Sequence, residues 1–352
     1  MIHKEILNDV DIPVAIISVL EQIKQRGFRG YIVGGAIRDV LIGRVPVEYD
    51  LATNAHPSDI MAWFDHVSDA GLKYGTVSIH FNGHIIEVTT FRKDAKYLDF
   101  RHPSEVVFTS SIHDDLMRRD FTINAMAYCP LTSECIDNFG AIDHLNQRRL
   151  ICVGHPYDRF KEDMLRPFRC FRLLSQLGFV VASDVMRALH DLSHGIVLPS
   201  MTRIRYEMDR LLMGPYWLSA LKVMHDVGWL SSVICDYPPL DAVKLPNDRL
   251  FRWAWLLSKT NLNETAKRLH FSKSDRRWMA HVLEWQFDEN AIHLTVNDLS
   301  ITSQELMGLG FTGPQLGQTQ NDLLRLIRQK KLVNSFGDIH RYLSQSELNI
   351  SD

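Results

Sequence analysis

The chain of 352 residues has only five cysteines, and no two of them form a C-x-x-C pair. An odd number of scattered cysteines argues against a disulfide framework or a zinc site, and it predicts free thiols in a reducing compartment. No apolar run approaches the roughly eighteen residues of a membrane helix, so we expect no membrane span. The N-terminus, MIHKEILNDVDIP, has acidic residues where a secretory signal needs a basic start and an apolar stretch. We therefore expect a cytoplasmic protein.

An excess of charge of one sign is also missing, because 39 Lys and Arg against 42 Asp and Glu leave a formal net charge of -3. Overall charge thus predicts nothing about nucleic acid, and a bound polyanion needs a local basic surface. Hydrophobic residues make up 45% of the chain, with seven Trp and seventeen Phe. This composition is typical of a globular protein with buried cores. The length predicts about two to four compact units.

Two patterns of periodicity divide the chain. Up to about residue 150, β-prone runs alternate with turn signals, at 31–35 (YIVGG), 75–81 (GTVSIHF) and 84–91 (HIIEVTTF). The dipeptide Asn82-Gly83 between the last two runs predicts a hairpin. From about residue 158 onward amphipathic helical periodicity dominates. We therefore predict an α+β head followed by an all-helical remainder.

The segment DRFKEDMLRPFRCFRLLSQLGF is predicted to form one amphipathic helix that stops at Gly178. Its apolar side chains recur at helical spacing and are expected to share one face. These side chains are Phe160, Met164, Phe168, Phe171 and Leu174.

A glycine pair, Gly34-Gly35, stands between a predicted strand and a predicted helix. Such a turn lets backbone N–H groups approach a phosphate, and Arg38 supplies a nearby cation. An ordinary tight turn explains the same two glycines. The spacing fits neither a P-loop nor a dinucleotide-binding glycine motif.

Two acids, Glu48 and Asp50, stand two apart in GRVPVEYDLAT. On a strand, residues i and i+2 point to the same face, so both carboxylates are expected to converge. Carboxylate oxygens suit Mg²⁺, which proteins commonly hold with one or two carboxylates plus substrate phosphates. Glu87, inside an apolar β-run, is either exposed on an edge strand or a candidate third catalytic acid from a neighbouring strand. Taken alone, the acid-x-acid pattern is common and is better explained as two solvated acids.

A pair of arginines and an acid, Arg118, Arg119 and Asp120, precede a segment that we expect to be buried. Guanidinium groups beside a carboxylate suit the recognition of a ribose and phosphates. A surface cluster of ion pairs remains the alternative.

Glu162, Asp163 and Arg166 have the spacing of one helix face. A stabilised helical surface is one explanation. The other is base reading, because a carboxylate accepts from the exocyclic amine of cytosine or adenine while an arginine donates to the acceptor beside it. Uracil and guanine reverse this pattern and leave buried polar groups unpaired, at about 1–3 kcal/mol per group.

Together these motifs resemble the class II tRNA nucleotidyltransferases, the CCA-adding enzymes grouped with bacterial poly(A) polymerases. The resemblance is strongest over residues 28–214 and weaker to the C-terminus, where LGFTGPQLG and KKLVNS are similar to the tail of bacterial CCA-adding enzymes. It implies a mixed-sheet nucleotidyltransferase head followed by an all-helical neck, body and tail. The implied segments are 1–150 (head), 151–215 (neck with base-reading template), 216–290 (body) and 291–352 (tail, tRNA contact).

The resemblance also assigns roles to residues. Glu48 and Asp50 fall where the family has its two metal-binding aspartates, and Glu87 is the third catalytic candidate. The implied nucleotide-binding residues are Gly34, Gly35, Arg38, Asp39, Arg118, Arg119, Asp120, Glu162, Asp163, Arg166 and Arg169. Residues 137–140 match a hinge, and 92–103 match a flexible loop used in the switch to the final A. Three residues depart from the family pattern: Glu48 in place of an aspartate, Phe100 in place of a glycine in the loop, and Pro167 after the template arginine, where a bend in the template helix is expected.

The implied activity is template-independent addition of CCA to the 3′ end of tRNA, with CTP and ATP as donors and Mg²⁺ as cofactor. No obligatory protein partner is evident. The expected RNA-binding residues are Arg203, Arg205, Lys330 and Lys331. Addition of A only or CC only, poly(A) synthesis, and a catalytically inactive RNA-binding relative are alternatives. The histidines of LHDLSH, His190 and His194, have i, i+4 spacing, but we expect them not to bind a metal.

Overall fold

The computed structural model describes residues 2–94, 106–195, 197–241, 243–284, 294–328 and 331–348. The chain forms two compact units, which adjoin in sequence at Ser232 and Val233. The division of the helical part into neck, body and tail stays a prediction. Among the described residues, no helix combines the length and the apolarity needed to cross a membrane.

The first unit contains the strands of the structure. They are β1 (Gly30–Val33), β2 (Asp50–Thr53), β3 (Val67–Ser68), β4 (Thr76–Phe81), β5 (His84–Thr90), β6 (Arg92–Asp94), β7 (Val106–Phe108), β8 (Met126–Cys129), β9 (Glu134–Asp137), β10 (Arg149–Leu150) and β11 (Val180–Val181). Its helices are α1 (Val14–Gln25), α2 (Gly35–Leu41), α3 (Pro57–Trp63), α4 (Ile112–Met117), α5 (Ala141–Asn146), α6 (Pro156–Glu162), α7 (Arg166–Leu177), α8 (Ser183–Leu192), α9 (Met201–Leu212), α10 (Trp217–Asp226) and α11 (Trp229–Val233), which ends at the boundary between the units. Short 3₁₀ turns span Lys4–Asp9, Leu72–Tyr74 and Thr122–Asn124.

Seven strands form a mixed sheet in the order β3-β4-β5-β2-β1-β8-β9. Only β2 and β5 pair in parallel within it, and the other neighbours are antiparallel. The predicted α+β head with a helical remainder is therefore confirmed. The parallel pair matters for function because its register sets Asp50 opposite Glu87.

The hairpin predicted at Asn82-Gly83 joins β4 to β5. Asn82 has φ +48° and Gly83 has φ +78°. Positive φ at both central residues is the twist that a two-residue hairpin needs, and asparagine and glycine adopt it at low cost. This local signal therefore fixes the register that carries Glu87.

Apolar side chains close the head around the sheet. Phe91 and Leu116 are fully buried there, and Tyr31 and Val33 of β1 belong to the same cluster. In the helical part of the first unit, the ring of Trp229 meets that of Phe168 edge-on, with centroids 5.4 Å apart. These cores hold in place the strands and helices that carry the polar residues described below.

The helix predicted over residues 158–179 is interrupted, which corrects the sequence interpretation. Helix α6 ends at Glu162, Asp163 has an extended backbone (φ -141°, ψ 105°), and α7 begins at Arg166. Pro167 explains the break, because proline has no N–H to donate to the carbonyl of Asp163 four residues earlier, and its ring would clash with that carbonyl in a continuous helix. The five predicted core side chains are nevertheless buried.

The helical part of the first unit is not purely helical. Strand β11 pairs in parallel with β10, with Arg149 opposite Val180 and Leu150 opposite Val181. Gly178, in the left-handed conformation (φ +65°), ends α7 as predicted and turns the chain into β11.

The second unit is helical where the structure describes it. Its elements are α12 (Arg249–Leu256), α13 (Leu262–Arg268), α14 (Lys273–Glu284), a 3₁₀ turn (Val296–Asp298), α15 (Ser303–Gly308), α16 (Pro314–Arg328) and α17 (Phe336–Leu348). One of its cores consists of Leu299, Ile301, Leu306, Leu323, Leu324, Ile327, Ile339 and Leu343.

Candidate active site

A cavity of about 1030 Å³ opens in the first unit. Its walls come from the glycine turn after β1, the segment before β2, the turn after α4, and helices α7 and α9. Arginine dominates the lining, with ten arginines against five acidic residues. The arginines are Arg38, Arg44, Arg92, Arg118, Arg119, Arg166, Arg169, Arg172, Arg203 and Arg210. This is the local basic surface that a chain of net charge -3 requires in order to bind a polyanion.

The glycine turn contributes backbone to the cavity wall. Gly34 has φ +77° and ψ -134°, a conformation in which side chains are strongly disfavoured. A Cβ at this position would lie 3.1 Å from Nη1 of Arg119 and 3.9 Å from Oδ2 of Asp50. Arg38 is buried nearby, where its guanidinium donates to Oδ1 of Asp39 (3.0 and 2.8 Å) and to Oδ1 of Asn124 (2.7 Å).

Asp50 begins β2 and faces the cavity, and Glu87 stands beside it on β5. Because β5 lies between β4 and β2, Glu87 is not on an edge strand. The Asp50 side chain is open on the cavity side and crowded by protein elsewhere. Burial and the charge of Glu87 raise the pKa of Asp50 to about 6, against the opposing charge of Arg119. Two neighbouring carboxylates here therefore favour a bound cation.

Glu48 lies in the segment before β2 and not on the strand, which corrects the argument that both acids share a strand face. The ladder between β1 and β2 ends at the pair Val33 and Asp50, because the chain turns at Gly34. The Glu48 carboxylate is 73% exposed and lies 4.0 Å from Nη2 of Arg210 on α9. Its charge still contributes to the raised pKa of Asp50. That the two acids hold a metal together stays a prediction.

The arginine pair is organised by an acid that the sequence interpretation missed. Asp115 on α4 is fully buried. Its Oδ1 accepts from Nε and Nη2 of Arg118 (3.0 and 2.8 Å), and its Oδ2 accepts from Nη2 of Arg119 (3.2 Å). Burial alone would raise the pKa of Asp115, but the two arginine charges outweigh it and hold that pKa below its ordinary value. Both guanidinium groups are therefore fixed at the cavity wall.

Asp120 lies next in the chain and is also buried. Its Oδ1 accepts from the N–H of Phe121 (2.8 Å) and from Nδ2 of Asn124 (3.3 Å), and its Oδ2 lies 3.4 Å from Nη1 of Arg169. A second acid that was not predicted, Glu207 on α9, forms ion pairs with Nε of Arg169 (3.6 Å) and Nε of Arg172 (2.8 Å). Arg169 thus stands between two buried carboxylates.

The three predicted base-reading residues come together, although Pro167 divides them between α6 and α7. Nη1 of Arg166 donates to Oε2 of Glu162 (2.7 Å), and its Nη2 donates to the carbonyl oxygen of Arg118 (2.9 Å). Oδ1 of Asp163 accepts from the N–H of Leu165 (3.0 Å). Asp163 and Arg166 line the cavity, while Glu162 serves as the partner that orients Arg166.

The predicted RNA-binding residues fall in different places. Arg203 lies in the cavity wall, with Nη2 3.6 Å from Oδ2 of Asp163. Arg205 is half-buried on α9, and Lys331 is exposed in the second unit. Lys330 lies outside the described residues. An RNA contact by these residues stays a prediction.

Other sequence predictions are covered in part. Of the loop at 92–103, only the strand β6 is described, and Phe100 lies outside the described residues. At the predicted hinge, Asp137 accepts N–H bonds from Phe139 (3.3 Å), Ala141 (2.8 Å) and Ile142 (3.0 Å), so it caps α5. Motion there stays a prediction.

The donor set fits Mg²⁺ with a substrate as the remaining ligand. Within the described parts of the chain, no group of three or more His, Cys, Asp or Glu side chains is arranged to hold a metal alone. Mg²⁺ requires less than that, since one or two carboxylates together with phosphates and water are its usual ligands. Asp50 and Glu48 supply hard oxygen atoms, and burial together with the charge of Glu87 raises the pKa of Asp50 in spite of the nearby Arg119.

Two family models match the chain: "Poly A polymerase head domain" over residues 30–151 and "Probable RNA and SrmB- binding site of polymerase A" over residues 178–240. The chain is 38% identical over 249 residues to a CCA-adding enzyme of Anoxybacillus flavithermus, a match that covers 68% of this chain and 62% of that enzyme. It is 35% identical over 281 residues to a CCA-adding enzyme of Streptococcus gordonii, covering 76% of this chain and 69% of that one.

Among solved structures, the CCA-adding enzyme of Bacillus stearothermophilus in complex with CTP superposes with a TM-score of 0.70. It shares 26% sequence identity, and the match covers 96% of this chain and 98% of that chain. The sequence match spans about 60% of the length of the first curated relatives.

Proposed function

Because this chain belongs to the family of CCA-adding enzymes, we propose that it adds CCA to the 3′ end of tRNA, using CTP and ATP as donors and releasing pyrophosphate. The observation that carries the proposal is the cavity, where Asp50, with Glu87 beside it on the adjacent strand, faces a wall of arginines. Two wall residues, Asp163 and Arg166, have the polarity to read a base.

In this reaction the 3′-hydroxyl oxygen of the tRNA bonds to the α-phosphorus of the nucleotide, and the bond to pyrophosphate breaks. Asp50 and Glu48 would hold Mg²⁺, with Glu87 beside them. When bound, Mg²⁺ supplies charge neutralisation at the phosphates and lowers the pKa of the attacking hydroxyl. The side chains of the chain itself then have little proton transfer to perform, and their main work is positioning.

The arginine wall supports binding of the sugar and the triphosphate. Arg118 and Arg119 are held by Asp115, so their guanidinium groups are oriented before a nucleotide arrives. Pre-oriented donors of this kind stabilise phosphate charge without further reorganisation. Gly34 allows Arg119 to approach the backbone of the glycine turn, because a Cβ there would lie 3.1 Å from its Nη1.

Base choice is assigned to Asp163 and Arg166. A carboxylate accepts from the amine that cytosine and adenine share, and an arginine donates to the ring nitrogen beside it. Uracil presents an oxygen where the amine is expected, which leaves two acceptors facing each other. An unpaired buried polar group costs about 1–3 kcal/mol, or roughly 5- to 150-fold in selection. The ion pair between Arg166 and Glu162 (2.7 Å) supports a fixed donor position.

The test offers the protein three tRNA forms, ending just before CCA, after the first C and after CC, with labelled CTP and ATP. Sequencing of the products should show completion to CCA on all three. An unmodified RNA oligomer with ATP alone should gain no long A tract. The Asp50→Asn variant serves as the inactive control, since it keeps the size of the side chain but removes its charge.

The other outcomes are informative. Addition to only one of the three tRNA forms would identify a partial-specificity enzyme. Long A tracts on the oligomer would identify a poly(A) polymerase. No incorporation by the folded protein on any RNA would contradict the proposed activity and leave an RNA-binding role.

A further inference from the structure

Asp115 has no role in the proposed chemistry, yet it is the most completely enclosed acid at the cavity among the residues described, with a side chain that is 0% exposed. It lies on α4, a short helix with Ser111 as its N-cap, whose Oγ accepts from the N–H of Asp114 (3.3 Å). A buried carboxylate is costly unless it is paired and hydrogen-bonded. The pairing of this carboxylate with Arg118 and Arg119 offsets that cost.

The Asp115 carboxylate holds the two arginines by geometry that leaves them little freedom. Arg118 is bound through Nε and Nη2 together to one oxygen (3.0 and 2.8 Å), and Arg119 is bound through Nη2 to the other (3.2 Å). Each arginine side chain remains 17% exposed, towards the cavity that both line. A single acid thus sets the direction of two cavity cations.

From these two arginines, contacts extend to the rest of the site. Nη1 of Arg119 would lie 3.1 Å from a Cβ added at Gly34. The charge of Arg119 also opposes the rise in the pKa of Asp50. The carbonyl oxygen of Arg118 accepts from Nη2 of Arg166, the base-reading arginine (2.9 Å). Asp115 is therefore connected to the catalytic acid Asp50 through Arg119, and to the base-reading Arg166 through Arg118.

The same helix fastens the two-stranded ribbon formed by β6 and β7, in which Arg92 pairs with Phe108. Oδ1 of Asp115 also accepts from the N–H of Arg92 (3.4 Å). The neighbouring Asp114 contacts Nζ of Lys93 (3.0 Å) and accepts from Oγ1 of Thr109 (3.0 Å). Strand β6 and the residue that follows β7 are thus tied to the helix that holds the cavity arginines.

We infer that Asp115 is a positioning residue for nucleotide binding, which orients Arg118 and Arg119 at the cavity wall and joins them to the β6–β7 ribbon. This inference rests on the proposed function. Arg118 and Arg119 are assigned to the ribose and phosphates, which CTP and ATP share. Loss of their orientation therefore weakens both nucleotides by the same factor, whereas a change at a base-reading residue affects them unequally.

The test compares Asp115→Asn with Asp115→Glu and with the control Asp59→Asn. Asp59 is a head acid whose carboxylate accepts from the N–H of His56 (3.0 Å) and caps α3, outside the cavity wall. For Asp115→Asn we expect KM for CTP and for ATP to rise by the same factor, between about tenfold and 100-fold, as for a catalytic group misplaced by about 1 Å. Asp115→Glu keeps the charge and should rescue part of the loss, and Asp59→Asn should keep the wild-type KM.

Binding of CTP to the protein without RNA, measured by calorimetry, should weaken in the same order. A merely structural role lowers kcat in proportion to the folded fraction and leaves KM unchanged, and that result would overturn the inference. An unequal change for CTP and ATP would overturn it as well. If Asp115→Asn does not fold, Asp115→Glu decides, because wild-type KM values there would contradict the inference. Failure of the wild-type protein to add nucleotides would instead refute the proposed function.

Discussion

Substitution of Gly34 by alanine tests whether nucleotide addition requires the close approach of Arg119 to the backbone at Gly34. Gly34 has φ +77° and ψ -134°, and an added Cβ would lie 3.1 Å from Nη1 of Arg119. The backbone strain costs about 1–3 kcal/mol of folding free energy. The Cβ contact is tighter than ordinary van der Waals distance, so the Arg119 guanidinium must move by a few tenths of an ångström or more.

Gly27 provides a matched control, because it also has positive φ (+86°) and an added Cβ there meets no atom within 4 Å. Both alanine variants should lose stability in urea unfolding, because both positions have positive φ. Only Gly34→Ala should also lose nucleotide addition, with kcat/KM for CTP reduced by about 10- to 100-fold, because Arg119 is displaced from its place beside Asp50. The assay is single-nucleotide addition to tRNA ending just before CCA, at a temperature where both variants are folded. Equal kcat/KM values for the two variants would refute the reasoning.

Four further measurements probe other parts of the site. Glu48→Asp should preserve or raise the rate of addition, and Glu48→Ala should lower it; an unchanged rate for the alanine variant would exclude Glu48 as a ligand. Because the pKa of Asp50 is raised to about 6, the ionised carboxylate opposes folding above that pH. Asp50→Asn should therefore stabilise the protein at pH 8 by about 1 kcal/mol after allowance for exposure, but should not stabilise it at pH 3.5. Unfolding midpoints measured at the two pH values would show the difference. Asp163→Asn should improve the use of UTP relative to CTP about tenfold, since its amide donates where the carboxylate cannot; an unchanged ratio of kcat/KM values would place base reading elsewhere. Charge reversal of Lys330 and Lys331 should weaken tRNA binding and reduce its salt dependence. An unchanged slope of log Kd against log salt concentration would exclude a tRNA contact by these two lysines.

Local chemistry explains which parts of the fold were predictable. The hairpin at Asn82-Gly83 was, because only a few residue pairs accept positive φ at both positions. The interruption between α6 and α7 had a visible cause in Pro167, but apolar spacing across the break favoured one continuous helix. The apolar side chains are buried as their spacing predicts, whereas the backbone is interrupted because of Pro167.

The residues missed in the site differ in how far their partners lie along the chain. Asp115 stands three and four residues before Arg118 and Arg119, so helical spacing alone was a signal for it. Glu207 contacts Arg169 and Arg172 through the packing of α9 on α7, and nothing in the local sequence joins them. Placement of Glu48 also needed the structure, because the end of the β1–β2 ladder is set by the turn at Gly34.

The positive charge of the cavity wall is carried by arginine, and among its described lining residues there is no lysine. A guanidinium stays protonated at every pH that a cell reaches, and it is not a substrate for the acetylation that neutralises lysine amines. Acylating reagents and metabolic acetylation should therefore leave this wall charged. Vicinal dicarbonyl compounds, which condense with guanidinium groups, should instead discharge it and stop nucleotide binding. The use of arginine in place of lysine should therefore make the site insensitive to acylation and sensitive to dicarbonyl modification.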